Sequence, residues 1–565
     1  MSTIGAAAAG ASARGPADLV IRNAAIYTGV DAGHGSTPPL GGARAEALAA
    51  RDGRIVAVGA EADVAALIGP ETRIVDLGGA FVMPGLVDAH DHYHLEGQGR
   101  LHEVSVPETA TVGEIVAAVA AETARRAPGE WIVVASYGMQ LIGELSRGDA
   151  LRLLDAVSPE HPVMVREVTR HNRWVNSVAL QAAGVDSGTA DPAHGEIVRD
   201  PATGEPTGLL VEGAGIAVEH LYAAARPFAE EDFADRVRYG VARLNEFGVT
   251  ALQDAGSSEQ AIRGAALLDG RGELNAWVVS SLTLHEQIFG FQPSGEELLP
   301  RAGEFATAHH RASFVKIFLD GIPPTHTGSF IDPYADGVTV GPLLDRDALV
   351  DALRLAAQHG LSAKMHCTGD GSVRAALDAV ERIREEGFAD TIYHIAHAQF
   401  ISEADVPRFA QLGAVVEISP YMWFPGPIEE MIDGLVREGL ARRMHPNREL
   451  LDAGALVAVG SDWPAGPDAN PWHAVHGLVN RSDPEGLVPG VAAPDQAVTL
   501  AEALRMVTID GARALGIAAD TGSLEPGKSA DFAVLDRDPF AIDPAELHAV
   551  RATATWFAGR EVFSG

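Results

Sequence analysis

Cysteine is almost absent from this chain: Cys367 is the single example in 565 residues. No intrachain disulfide and no thiolate metal cluster can therefore form within one chain, and any metal must be held by nitrogen and oxygen. Lysine is nearly as scarce, with only Lys316, Lys364 and Lys528 among 42 basic side chains. No basic run interrupts a formal net charge of −35. Such a surface repels phosphate backbones and anionic lipid, so neither a nucleic-acid nor a membrane partner is predicted, and the acidity reads as a device for solubility. No window approaches the roughly 20 apolar residues of a membrane span. The opening Met1-Ser-Thr-Ile-Gly, followed by Ala, Gly, Ser and Arg, lacks the apolar run of a signal peptide, so a cytoplasmic location is expected.

What is present is ordinary globular material, 47% hydrophobic and 21% charged. The length exceeds what one compact core supports, which predicts a large unit with attachments. Residues 1–16 are expected to be unstructured. From 17 to 81 short strands alternate with turns, and Asp52-Gly53 marks a hairpin between two of them. Residues 515–565 repeat that pattern, which predicts a small β-sandwich assembled from both chain ends. Between them, residues 82–514 alternate apolar strands with helical stretches. Eight strands are expected: Leu86–His92, Val249–Asp254, Ala276–Ser281, Phe314–Asp320, Ser362–His366, Ile392–His397, Ala414–Ser419 and Leu456–Asp462. That number suits an α/β fold of the (β/α)₈ TIM-barrel type, with residues from about 100 to 234 as an insertion after the first strand.

The polar residues at the strand ends carry the chemistry. His90 and His92 share strand parity, so both imidazoles point to one face and can bind one cation. His366, His397 and Asp462 end three further strands, and barrel active sites gather at the carboxyl ends of strands. His94 shares the parity of the first pair but lies one step further out, whereas His394 has the opposite parity to His397 and is expected to face away. A lysine inside Phe314-Val-Lys-Ile-Phe is costly to bury as an ammonium. Lys316 either pairs with an acid such as Asp320 or Asp254, or loses its proton and reacts with carbon dioxide to give an anionic, metal-bridging carbamate. Lys364 is a deeper rival, and Lys528 reads as an exposed turn residue.

Taken together, Met83-Pro-Gly-Leu-Val-Asp-Ala-His-Asp-His, Phe314-Val-Lys-Ile-Phe-Leu-Asp-Gly, His366-Cys-Thr-Gly-Asp-Gly, His397-Ala-Gln, Gly460-Ser-Asp-Trp-Pro and Thr521-Gly-Ser-Leu-Glu-Pro-Gly-Lys resemble the amidohydrolase superfamily. Within it, the chain is most similar to the YtcJ-type or amidohydrolase-3 branch, which includes N-substituted formamide deformylases. The resemblance spans nearly the whole chain. It implies a distorted barrel flanked by a β-sandwich, and one or two divalent ions, zinc being the expected metal. It also implies His90, His92, carboxylated Lys316, His366 and His397 as ligands, with Asp462 as the proton-handling carboxylate. Asp91 and His94 around the first pair, and Cys367-Thr368 after His366, depart from the pattern without touching the ligands.

The expected reaction is hydrolysis of a non-peptide C–N amide-type bond of a small molecule by metal-activated hydroxide. Tyr421, Trp423, Phe424 and Trp463 are candidates for an apolar substrate pocket, and His171 in Arg170-His-Asn-Arg-Trp is a candidate substrate contact. Homo-oligomerisation is compatible with the sequence. Three alternatives stay open: a mononuclear deaminase or cyclic-amide hydrolase, a catalytically idle barrel used for binding or regulation, and a Schiff-base enzyme using Lys316.

Overall fold

The structure is a computed structural model that describes residues 15–30, 44–285, 288–420, 427–465 and 469–565. Most of the N-terminal segment expected to be unstructured lies outside the described residues.

Runs of apolar residues without polar alternation form strands covered on both faces. Eight of them make one sheet: β1 (Leu86–Asp91), β2 (Val249–Ser257), β3 (Trp277–Thr283), β4 (His310–Phe318), β5 (Ser362–Cys367), β6 (Tyr393–His397), β7 (Val415–Ile418) and β8 (Leu456–Val459). Each pairs in parallel with the next. Helices cover the outside. In Asp370–Glu385, Val373, Leu377, Val380 and Ile383 recur at helical spacing and are fully buried. Each such side chain contributes about 1.5–3 kcal/mol when removed from water.

The seam between β8 and β1 closes beyond the regular strands. The Asp462 amide donates to the His90 carbonyl (2.7 Å) and the His92 amide to the Trp463 carbonyl (2.8 Å). Strand eight was expected to reach Asp462 but ends at Val459. The reason is steric: a Cβ on Gly460 would lie 2.3 Å from the Cβ of His90, so the two segments cross too closely for a side chain. Strand four begins at His310, four residues before the expected start.

The insertion follows helix Tyr93–His102 and ends at helix Glu230–Glu246. Those two helices pack through glycine: a Cβ on Gly97 would lie 2.4 Å from the Arg236 carbonyl oxygen, and one on Gly240 2.7 Å from that of Tyr93. Between them a five-stranded sheet, in the order Gly195–Arg199, Pro206–Glu212, Asn172–Val175, Val163–Glu167, Ile132–Tyr137, has its own core around Val134, Val165, Trp174 and Leu209.

The chain ends meet. Phe81–Pro84 pairs antiparallel with Phe532–Leu535, and this sheet shares a core with the sheet that contains Leu19–Arg22 and Ala47–Arg51 through Ile21, Leu48, Phe532 and Trp556. Asp52 (φ 51°) and Gly53 (φ 76°) turn the predicted hairpin between Arg51 and Arg54. Both lie in the left-handed region that a tight two-residue turn requires. Among the described residues no helix is long and apolar enough to cross a membrane.

Candidate metal centre

The carboxyl ends of the strands surround a cavity of about 100 Å³ whose walls include His90, His92, Lys316, His366, His397 and Asp462. Every one of these residues comes from a different strand or from the turn that follows one, except that His90, on β1, and His92, directly after it, share one.

His90 and His92 reach the cavity by strand alternation. His90 Nε2 lies 3.4 Å, and His92 Nε2 3.5 Å, from Asp462 Oδ1. One ligand atom from each of the three falls within 4.8 Å of the other two. His397 Nδ1 is 4.0 Å from Asp462 Oδ2, and its ring lies 4.7 Å from that of His90 and 4.4 Å from that of His366. Strand parity alone would not bring His397 here. His394 is the register neighbour of Lys364, and it donates from Nε2 to the Ala514 carbonyl (2.9 Å), away from the cavity. A left-handed backbone at His397 (φ 66°) turns its ring into the mouth, and Asp462 (φ 56°) uses the same device. His94 also faces elsewhere, 3.5 Å from Asp254 Oδ2.

Behind the imidazoles stand buried acids. Both oxygens of Glu417, on β7, lie 2.8 Å from His90 Nδ1. Asp320 Oδ1 accepts from His366 Nδ1 (3.1 Å), while the same carboxylate takes Thr368, Gly369 and Ser372. Asp88 accepts from the amides of His90 (3.1 Å) and Ser461 (2.9 Å), tying the two sides of the seam. Glu417 and the role of Asp320 escaped the sequence reading, although a lone acid inside Val415-Val-Glu-Ile is the same kind of signal as the lysine on β4.

Lys316 is 1% exposed, and its Nζ sits 4.8 Å from the centroid of Phe318. Among the described residues no carboxylate pairs with it. Asp320 is engaged by His366, and Asp254 by Ser257 (2.6 Å) and His94, so neither acid answers the ammonium. Lys364 lies deeper, as its register predicts, and is bonded to Glu417 and to the Ala89 carbonyl (2.7 Å). Lys528 is bonded to Ser523 (2.7 Å).

Electrostatics follow from burial. Desolvation holds the imidazoles of His90, His92 and His397 well below their usual range, helped by the neighbouring cations, which favours their neutral form. Burial, and then the charge of Lys364, presses Lys316 down to about 8. Burial pushes Asp462 up to about 7 against the pull of Lys316. For His171 burial is opposed and outweighed by Glu212, whose Oε2 lies 2.8 Å from Nδ1, so its value is raised.

The donor set fits a divalent ion. His90 Nε2 is buried and has no hydrogen-bond partner, while its other nitrogen is fixed by a carboxylate, the arrangement that orients a metal-binding imidazole. Neutral nitrogen and carboxylate oxygen in this combination suit zinc and similar ions.

The insertion supplies Met139, Thr169 and His171 to the same cavity, and docks on the barrel through Thr327 Oγ1, which donates to Glu212 Oε1 (2.9 Å). Phe289, Phe318, Ile322 and Pro323 make an apolar wall. Of the aromatic candidates, Tyr421, Trp423 and Phe424 lie outside the described residues. Trp463 does not line this cavity: it is 8% exposed and borders a separate cleft with Arg100 and Val168. Its place follows from the seam, where its carbonyl receives the His92 amide and its ring turns outward into the apolar core.

Comparison with known proteins agrees with this architecture. The Amidohydrolase family matches residues 73–563. An N-substituted formamide deformylase of Arthrobacter pascens is 30% identical over 551 residues, covering 96% of this chain and 97% of that protein. Protein LONG AFTER FAR-RED 3 of Arabidopsis thaliana is 28% identical over 563 residues, covering 97% and 92%. A Bacillus subtilis (strain 168) protein named as amidohydrolase YtcJ is 27% identical over 539 residues, covering 92% and 96%. Among solved structures, a metal-dependent hydrolase from Pyrococcus horikoshii OT3, described as uncharacterized, shares the fold with a TM-score of 0.72 at 23% identity, covering 93% of this chain and 99% of that one. With a family match over most of its length and relatives that run end to end, this chain belongs to the amidohydrolase family, in its YtcJ-like amidohydrolase-3 branch.

Proposed function

We propose that this protein hydrolyses a non-peptide C–N bond of amide type in a small molecule, at a divalent metal centre held by His90, His92, His366, His397 and carboxylated Lys316. The observation that carries the reading is the convergence of these side chains and Asp462 on one cavity at the carboxyl ends of the parallel strands. When bound, the metal would lower the pKa of a water molecule and polarise the scissile carbonyl.

The protein's own groups do the rest. Asp462, 3.4–3.5 Å from the first two imidazoles, accepts the proton of the attacking water and delivers it to the departing nitrogen. Glu417 and Asp320 hold His90 and His366 with one nitrogen toward the cavity. His171, whose Nδ1 is held by Glu212 at 2.8 Å, is placed to donate to the carbonyl oxygen as negative charge develops there, and Glu212 shifts it toward the protonated form. The apolar wall of Phe289, Phe318 and Ile322 accommodates a hydrophobic substituent and excludes water around the reacting bond. An N-substituted formamide, the substrate class in the name of the Arthrobacter pascens relative, fits a small reacting group beside an apolar wall.

Lys316 supports the same reading. Its amine has no carboxylate partner among the described residues and is pressed toward the uncharged form, which is the form that carboxylates. The test is elemental analysis of the purified protein together with hydrolysis of a panel of N-formyl and N-acyl amines. The expected result is one or two zinc-class ions per chain, with amine release abolished by chelation and restored by metal. Metal-loaded protein that releases no amine from any member of the panel sinks the proposal.

A further inference from the structure

A second cavity, of about 290 Å³, shares Phe289 as a wall with the candidate metal centre and is lined from helices Tyr93–His102, Ile216–Ala225 and Glu230–Glu246. Five guanidinium groups line it, those of Arg166, Arg170, Arg173, Arg226 and Arg236. In a chain of net charge −35, four buried guanidinium groups beside a half-buried fifth call for a cause.

Two carboxylates answer part of it. Glu219 accepts from Arg166 Nε (2.8 Å) and Nη2 (2.7 Å) and from Arg173 Nε (2.9 Å), and Glu103 is bonded to Arg166 Nη1. Among the described residues Arg170, Arg226 and Arg236 have no carboxylate within ion-pair distance. Arg236 is 2% exposed. Its Nη1 donates to Gln98 (3.0 Å) and its guanidinium lies 3.9 Å and 4.3 Å from the ring centroids of Phe228 and Phe233. Its buried Nε and Nη2 have no acceptor, and the same is true of Arg170 Nε and the Tyr222 hydroxyl. Aromatic faces stabilise a cation but do not neutralise it. Water could satisfy the donors but leaves the charge, whereas burying an unpaired guanidinium is costly. Arg170 and Arg236 border the cavity with no carboxylate to answer their charge, and a carboxylate or a phosphate is the chemistry that would do so.

We propose that this cavity is a binding site for a small molecule carrying a carboxylate or phosphate group, distinct from the metal centre. The ligand enters past Ala223 and Pro227, which are exposed on the rim. The site adjoins the metal centre: the Phe289 ring stacks on Phe291 (4.9 Å) and lies 5.2 Å from that of His92, and Arg170 directly precedes His171.

Isothermal titration of the metal-loaded full chain with inorganic phosphate and, separately, with malonate tests this. Two variants locate the site: Arg236→Gln removes the unpaired cation, and Ala223→Glu places a negative charge on the rim without entering the core. The expected result is saturable one-to-one binding of at least one probe, weakened at least tenfold in both variants. The probe that binds assigns the ligand as phosphate or carboxylate. Absence of saturable binding in the wild type overturns the proposal. So does binding of equal strength in wild type and variants, which assigns the anion to the metal centre. Should Arg236→Gln fail to fold, Ala223→Glu alone decides between these outcomes.

Discussion

Glu417 grips His90 from behind, with both carboxylate oxygens 2.8 Å from Nδ1, and is itself held by the buried ammonium of Lys364. A charged acid inside the barrel is therefore compensated, and the tautomer of His90 is fixed with Nε2 toward the cavity.

Replacing this acid should loosen the metal without emptying the site. Glu417→Gln keeps the volume but removes the charge that orients His90 and leaves Lys364 unpaired. Metal affinity is expected to fall about 10–100-fold, measured by competition with a chromogenic chelator. An unchanged affinity would remove Glu417 from the positioning of His90.

Asp462 gives a different signature. Asp462→Asn retains a ligand oxygen and the backbone seam to His90 but cannot take a proton. Turnover should drop by about 10²–10⁴ with little change in KM. Elemental analysis should show the metal still present. Loss of metal in proportion to loss of turnover would make Asp462 a ligand alone.

The barrel and most of its polar rim were legible in the sequence because period and position are local properties. Eight apolar runs could be counted, and His90, His92, Lys316 and His366 lie where strand alternation sends them. Three things were not legible. His397 was placed at the rim by its strand-end position, but the left-handed turn (φ 66°) by which its ring enters the mouth follows no parity rule. Glu417 and Asp320 act through partners distant in sequence. Trp463 lies beside Asp462 in the chain, yet the closure of the seam sends the two side chains in different directions.

Gly460 links that seam to the metal. Any side chain there would collide with the backbone and Cβ of His90, at 2.3–2.8 Å. Gly460→Ala should push β1 outward, displace His90 from Glu417 and cost both metal content and stability, the latter by about 1–3 kcal/mol as for other overpacked sites. Metal content and the midpoint of thermal unfolding check this together, and a variant that keeps both at wild-type levels would show that the crossing has slack.

The arginine cavity makes a prediction about acid. Burial opposes ionisation of Glu219, but Arg166 and Arg173 outweigh it and hold the carboxyl down at about 2, from an ordinary 4.5. A depressed folded value means that the group stabilises the fold above pH 4.5 and that this contribution disappears as pH falls through about 2. At about 1.4 kcal/mol per unit the contribution is on the order of 3 kcal/mol. Glu219→Gln should start less stable at neutral pH, because Arg173 loses its carboxylate partner and Arg166 keeps only Glu103, and should then lose less than the wild type on acidification. Urea unfolding midpoints at pH 6 and pH 3.5 measure both effects. Parallel losses in the two proteins would mean that the ion pairs between Glu219 and its arginines contribute nothing to the acid sensitivity of the fold.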